Sequence, residues 1–275
     1  MLGFLVNLPL LQEYGWRLLA GLQVTAEVVA LSCTLGFALA WPICRARLSR
    51  NPLLSGAALA YVTVLRGTPL LCQLYLVYYG AGEIRPALAS FGLWTLFRDA
   101  FFCCIFTFTL NTAAYQAEIF RGAIASVPKG QKEASAALGL SAWHTARRVV
   151  FPQAFLVALR PLGNELVSMI KSSALAAIVT LLDLMGQTRL VFSRTFDFSV
   201  YLYAAILYLL MTEAIRRVWL VIERRASAHL PVAQPARAIT AGRKGQLVRE
   251  GAVSQSDAVL ARTPFPGPAI SDRAR

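Results

Sequence analysis

Five stretches of this chain are apolar for long enough to cross a lipid bilayer, and this restricts its fold more than any other feature. A helix advances about 1.5 Å per residue, so roughly 20 apolar residues cross a hydrocarbon core about 30 Å thick. The stretches run from Gly21 to Cys44, Leu53 to Tyr79, Ala100 to Phe120, Pro161 to Leu182 and Phe198 to Ile222. In lipid every backbone polar group needs an internal partner, which makes helices the expected form for runs of this length. The expected fold class is an all-α integral membrane protein with about five transmembrane helices. A composition of 57% hydrophobic and 15% charged residues over 275 positions lies outside the soluble range and agrees.

The second stretch is too long for one upright span and contains Arg66, Gly67, Thr68 and Pro69. Proline removes a backbone donor and glycine loosens the helix, so a kink or break is expected there, facing protein or a water-filled path. Basic residues set the orientation. Arg45, Arg47 and Arg50 follow the first span, and Arg121, Lys129, Lys132, Arg147, Arg148 and Arg160 lie between the third and fourth. Both loops are therefore expected in the cytoplasm, with the N-terminus outside and the tail inside, and Arg216, Arg217, Arg224 and Arg225 agree with a cytoplasmic exit. This placement accounts for the net charge of +13 without nucleic acid as a partner.

Residues 1–20 read as an extracytoplasmic or interfacial N-terminus, with Tyr14, Trp16 and Arg17 near the headgroups. The start lacks a basic region and a small-residue cleavage site, so it is not expected to be a removable signal peptide. Residues 21–225 form the transmembrane domain, and 226–275, rich in Ala, Pro, Gly, Ser and Arg, read as a disordered cytoplasmic tail. Cys33, Cys44, Cys72, Cys103 and Cys104 lie in or at the ends of apolar spans and read as small buried residues. His144 and His229 are far apart in sequence, so no metal site is expected. There is no phosphate-loop pattern, so the chain is not expected to be an enzyme that hydrolyses ATP itself.

A polar, basic segment separates the third and fourth spans. Pro128 suits a first helical turn, Gln131 to Leu138 are good helix formers, Gly139 ends that helix, and Ser141 caps a second through Val150. Pro152, after the restricted Phe151, is expected to end that helix or kink it into the next span. The result is a hairpin at 128–152 that presents Ala134, Ala137 and Leu138 beside Lys132 and Glu133. Such a surface suits either a groove in a partner or the membrane surface.

The spacing of Glu133, Ala134, Ser135, Gly139, Val149, Val150, Phe151 and Pro152 resembles the EAA loop of ABC importer permeases. Its pattern is Glu-Ala-Ala, then Gly, then Ile-x-Leu-Pro. Ser135, Val149 and Phe151 depart from it by mild changes of size. The segments RGTPLLCQLYLVYYG at 66–80, FTLNTAAYQAEIFRGAIASVPKGQ at 108–131 and FPQAFLVALRPLGNELVSMIKSSALA at 151–176 resemble the polar amino acid uptake subfamily. Thr-Leu-Asn-Thr at 109–112 and Ser-Ala-Leu-Ala at 173–176 are most similar to the M subunit of histidine, lysine, arginine and ornithine importers and their opine-uptake relatives.

The resemblance implies a type I ABC importer permease fold in a bacterial inner membrane. It implies ATPase coupling through Glu133, Ala134, Ser135, Gly139 and Pro152. Partners would be an ATPase subunit dimer, a second permease subunit or a second copy of this chain, an extracytoplasmic amino-acid-binding protein, and membrane lipid. ATP and Mg would bind the ATPase, with no cofactor on this chain. The cargo would be a polar amino acid, basic by preference, or an opine.

Ionisable groups at membrane depth are expensive unless they pair or meet water, so Arg66, Glu118, Glu165 and Lys171 need partners or a path. Asn111 and Glu118 lie seven residues apart, on nearly one face, and can meet Asn164 and Glu165 from the fourth span. These four read as pathway lining, or alternatively as interhelical pairing, with Glu165 matched to Lys171 or Arg66. Arg66, Pro69 and Lys171 read as gating or structural residues. Competing readings are an ion-gradient transporter or channel, a membrane scaffold without transport, and a membrane hydrolase. A gradient-driven transporter predicts inverted repeats, and none is evident. A hydrolase needs an acid, base and nucleophile set, and none stands out.

Overall fold

A computed structural model describes residues 8–227, all helices and connecting turns, with no strand among them. The tail expected from Ala226 onward, with His229, falls outside the described residues beyond Ser227. Helix α1, Leu8–Arg47, is one rod of 40 residues. The expected interfacial N-terminus and first span are therefore continuous from Leu8, because Gly15 and Gly21 weaken a helix without breaking it.

The second stretch divides into α2, Pro52–Gly67, and α3, Leu70–Glu83, bent by 101°. Asn51 starts α2 by accepting from Leu53 N at 3.0 Å, with Pro52 at the first helical position. Short helices α4, Arg85–Ser90, and α5, Trp94–Phe97, lead to α6, Ala100–Ser126, which Asp99 caps by accepting from Phe101 N at 3.2 Å.

After α6 come α7, Lys129–Ala137, and α8, Ala142–Thr145. A wide π-turn over Ala146–Val150 then leads into α9, Phe151–Ser172, and a 3-10 turn over Ser173–Val179. Ala142–Val179 therefore forms one continuous helix, so the helix that carries the fourth apolar stretch starts on the hairpin. Phe151 keeps helical angles of φ −63° and ψ −45° before Pro152. The wide turn accommodates the proline, and the Gln153 side chain gives a hydrogen bond to Val149 O at 2.9 Å. Of the two expected outcomes at Pro152, an end to the helix is absent. The chain finishes with α10, Leu184–Thr195, and α11, Ser199–Ser227.

Among the described residues two helices are both long and apolar enough to cross a membrane, Pro9–Arg47 and Ala142–Val179, and the bent α2–α3 pair adds a third if it is one span. At 27 and 29 residues, α6 and α11 are also long enough, but they carry more polar side chains. Helix α6 is central. Its Phe108 packs with Val28 of α1, Leu74 of α3 and Ile170 of α9, while Phe120 packs with Cys44, Val150 and Ala154 nearer the hairpin. A third cluster joins Leu18 to Leu184, Val191 and Val200. Lipid tails are as apolar as leucine, so close fit holds such helices together. A Cβ at Gly36 would overlap the Thr112 methyl, and one at Gly163 would overlap the Trp219 ring. Cys44, Cys103 and Cys104 are buried as expected, whereas Cys72 is exposed because it lies on an unpacked face of α3.

Candidate functional site

The hairpin is defined by local chemistry. Pro128 stands just before α7, and Gly139 takes the left-handed φ of +73° that ends it. Leu140 N donates to Ser135 O and Gly139 N to Ala136 O, each at 3.0 Å, closing a Schellman turn. Ser141 then caps α8, accepting from His144 N at 3.4 Å. Ser135 alone of its neighbours is buried, and its hydroxyl donates to Gln131 O at 2.7 Å. Glu133, Ala134 and Gly139 are exposed. Leu138 and Trp143 are 80% and 63% exposed, a large apolar tip for a segment otherwise polar. Pro152 sits in the first turn of α9, exposed.

The break at Arg66 to Pro69 frees carbonyl groups, and two amides collect them. Gln73 Nε2 donates to Leu65 O at 2.9 Å and to Thr68 Oγ1 at 2.8 Å. Asn111 Nδ2 donates to the same Leu65 O and to Gln73 Oε1, both at 3.0 Å. Asn111 is buried, so its amide is committed to holding the bend on α6. Tyr61 adds a tie, its hydroxyl donating to Leu110 O at 2.7 Å. Pro69 stands before α3 in extended conformation, and Arg66 lies exposed with its guanidinium 5.0 Å from the Tyr115 ring centroid.

Glu118 lies between two cations. Arg47 Nε from α1 is 2.9 Å from Oε1, and Arg121 Nε is 2.8 Å from Oε2. The Glu118 side chain is 13% exposed, and the two arginines satisfy its carboxylate and tie the ends of α1 and α6 together. Glu165 of α9 accepts from Thr112 Oγ1 at 3.1 Å, and Gln116 Nε2 donates to Thr112 Oγ1 at 3.1 Å. Asn111, Glu118, Asn164 and Glu165 therefore do not converge on one point. Asn164 and Lys171 are exposed on α9. Asn164 lines a cavity of about 460 Å³ with Arg160, Gly163 and Trp219. Arg160 lies 3.0 Å from Glu223 across it.

Sequence reasoning passed over Gln73, Thr112 and the arginine partners of Glu118. Thr112 and Gln116 are spaced for one helix face, a signal available in advance. The pairings across helices had no such signal. Among the described residues no three His, Cys, Asp or Glu side chains gather as metal ligands.

Residues 32–227 match the family described as the binding-protein-dependent transport system inner membrane component. The chain belongs to that family. It is 38% identical over 226 residues to the nopaline transport system permease protein NocM of Agrobacterium fabrum, covering 82% of this chain and 94% of the relative. It is 37% identical to the arginine ABC transporter permease protein ArtM of Escherichia coli K12, over 65% of this chain and 80% of that one. A chain in a crystal structure of an amino acid ABC transporter with histidines superposes with a TM-score of 0.71 at 32% identity, covering 80% of this chain and 99% of that one. A chain of the inward-facing MetNI methionine ABC transporter shares the fold at a TM-score of 0.63 and 19% identity, with the same coverage. The permease is thus an inner-membrane subunit of the type I ABC importer fold, in a family that works with a substrate-binding protein and leaves ATP hydrolysis to a separate subunit.

Proposed function

We propose that this permease carries polar amino acids or their opine conjugates inward, driven by an ATPase dimer that docks on the hairpin from Glu133 to Pro152. ATP and Mg belong to that dimer. The N-terminus is extracytoplasmic and the C-terminus cytoplasmic. The path is completed by a second permease subunit or a second copy of this chain. The observation that carries the reading is the continuity of Ala142–Val179: the second half of the hairpin and α9 are one helix. A push on the exposed Trp143 of α8 is delivered to α9 through one continuous helix. Relatives named for nopaline and arginine support the cargo class.

In this reading Asn164 and Glu165 touch the cargo's route, while Asn111 and Glu118 hold the helices that frame it. Uptake should separate these roles. In complexes reconstituted with the ATPase and a loaded binding protein, Asn164→Ala and Glu165→Gln are expected to lower uptake about three- to tenfold, the scale of one or two lost polar contacts. Unchanged affinity and rate in both variants would remove them from the route. The reading as a whole is tested by purification from the membrane: the chain should come out with an ATPase subunit. Transport by the purified chain alone in liposomes would refute it and favour a gradient-driven carrier.

A further inference from the structure

Near the N-terminal end of α1, an apolar groove of about 670 Å³ runs between that helix and α11. Leu11, Trp16 and Leu19 line it from α1, and Tyr203, Ile206 and Leu207 from α11. Leu18 and Tyr203 are buried and belong to the cluster that also holds Leu184 and Val200, so protein closes the groove on its inner side. The other side is open, since Trp16, Leu19 and Ile206 are exposed. Ile206 also stands with Leu202 and Leu209 at helical spacing, and all three are exposed. The groove therefore opens onto an apolar face of α11. Its volume lies within the roughly 300–1,000 Å³ of sites that hold small molecules.

Two polar groups stand at this groove without a polar partner. Arg17 lies beside the Trp16 wall, its guanidinium 5.2 Å from the Trp16 ring centroid and 5.8 Å from that of Tyr14. The rings attract the cation without neutralising it, and among the described residues no carboxylate lies within 4 Å of it. The Tyr203 hydroxyl is buried with no hydrogen-bond partner among the described residues, a costly state for a donor. A helix of another subunit laid here would not meet these needs, because its backbone carbonyls are bonded within itself. A phospholipid brings an apolar chain, an ester carbonyl and a phosphate in that order, which matches the apolar groove, the free hydroxyl and the cation. Trp, Tyr and Arg together also mark the headgroup layer of a membrane.

We propose that the groove between α1 and α11 seats an acyl chain of an anionic phospholipid whose phosphate is held by Arg17. Leu19, Ile206 and Leu207 receive the chain, and the ester region meets Tyr203. The arginine stem lies along apolar surface while its head reaches the phosphate, as long cationic side chains do at a membrane interface. An anionic lipid is favoured over a zwitterionic one, because a zwitterionic headgroup carries its own cation in competition with Arg17. With the N-terminus extracytoplasmic, as proposed above, the lipid belongs to the outer leaflet of the inner membrane. Neither the hairpin nor Asn164 and Glu165 line this groove, so its occupant fills the seam between two helices and is not cargo.

The test uses the permease as it is purified from the membrane, with its partner subunits, in phosphatidylcholine vesicles that carry a small fraction of phosphatidylglycerol brominated on its chains. Bromine quenches tryptophan on contact, and the emission of Trp16 is the difference between each complex and its Trp16→Phe counterpart. Quenching by brominated phosphatidylglycerol is expected to exceed that by brominated phosphatidylcholine about fivefold, the enrichment that one arginine gives an anionic lipid. Arg17→Gln should make the two lipids equal, and Arg17→Lys should keep most of the preference because it keeps the charge. Gly15 also lines the groove, and a Cβ there meets only Leu11 at ordinary contact distance, so Gly15→Leu should enter the groove and lower quenching by both lipids. Equal quenching in the wild type, or an unchanged preference in Arg17→Gln, overturns the phosphate contact. Unchanged quenching in Gly15→Leu overturns the seat of the chain, and no quenching by either lipid means that protein covers the groove. Neither cargo nor orientation enters the readout, so failure of the lipid site leaves the transport reading standing, and failure of transport leaves the lipid site.

Discussion

Replacing Gly139 with valine is expected to leave the permease inserted and the assembled complex hydrolysing ATP, while uptake falls about tenfold or more. The cause is backbone conformation. A Cβ at Gly139 would meet nothing within 4 Å, so space is not the obstacle. Its φ of +73° is, because an L-residue there is strained by about 1–2 kcal/mol and a β-branched one by more. The chain escapes that strain by leaving the left-handed region, which breaks the two 3.0 Å bonds from Leu140 N and Gly139 N that close the turn. Helix α7 then leaves α8 at a different angle, which moves the exposed Leu138 relative to the exposed Trp143. A strain of about 2 kcal/mol corresponds to more than tenfold in the population of the correctly bent hairpin. Asparagine tolerates the same φ, so Gly139→Asn should retain most of the uptake. The check is the ratio of molecules imported to ATP hydrolysed; an unchanged ratio in Gly139→Val would count against the hairpin as the coupling element.

The second large effect is expected at the opposite structural extreme, a close contact between two helices. Gly36→Ala puts a methyl into the Thr112 methyl, with Ala113 N at 3.4 Å behind it. Alanine favours the helix by about 1 kcal/mol over glycine, but overpacking of a fitted contact costs about 1–3 kcal/mol, so the clash wins. Thr112 cannot simply turn aside, since its hydroxyl both donates to Glu165 and accepts from Gln116 at 3.1 Å. The variant should therefore melt at lower temperature in detergent and also lose uptake. Thr112→Ser removes the obstructing methyl and keeps the hydroxyl, so the double variant should recover most of both. No loss in Gly36→Ala would mean that the α1–α6 contact is looser than described, and failure of the rescue would mean that the Thr112 methyl is not the obstacle.

Much of this architecture was legible before any coordinates. A run of about 20 apolar residues has few alternatives in lipid, because its backbone must bond to itself. The hairpin was legible for a similar reason. Pro128, Gly139 and Ser141 act on their own backbone within a few residues, so their chemistry needs no knowledge of the rest of the chain. The break at Gly67 to Pro69 belongs to the same class.

Long-range partners were of another kind. Asn111 and Glu118 stand seven residues apart on α6 and looked alike as candidates for the path, yet one holds the carbonyls of a bent helix and the other binds two arginines. Which of these a polar side chain does depends on what the neighbouring helix brings to its level, and spacing within one helix carries no record of that. The same holds for Pro152. Its local preference argued for an end to the helix or a kink, but a wide turn precedes it and α8 runs on into the span. The covalent chain therefore determined where the helices lie along it and how the hairpin bends, since those are contests between a residue and its own backbone. Packing alone decided which polar side chains are spent between helices and which, as at Lys171 and Asn164, remain exposed, since that is settled by groups far apart in sequence meeting across a helix interface.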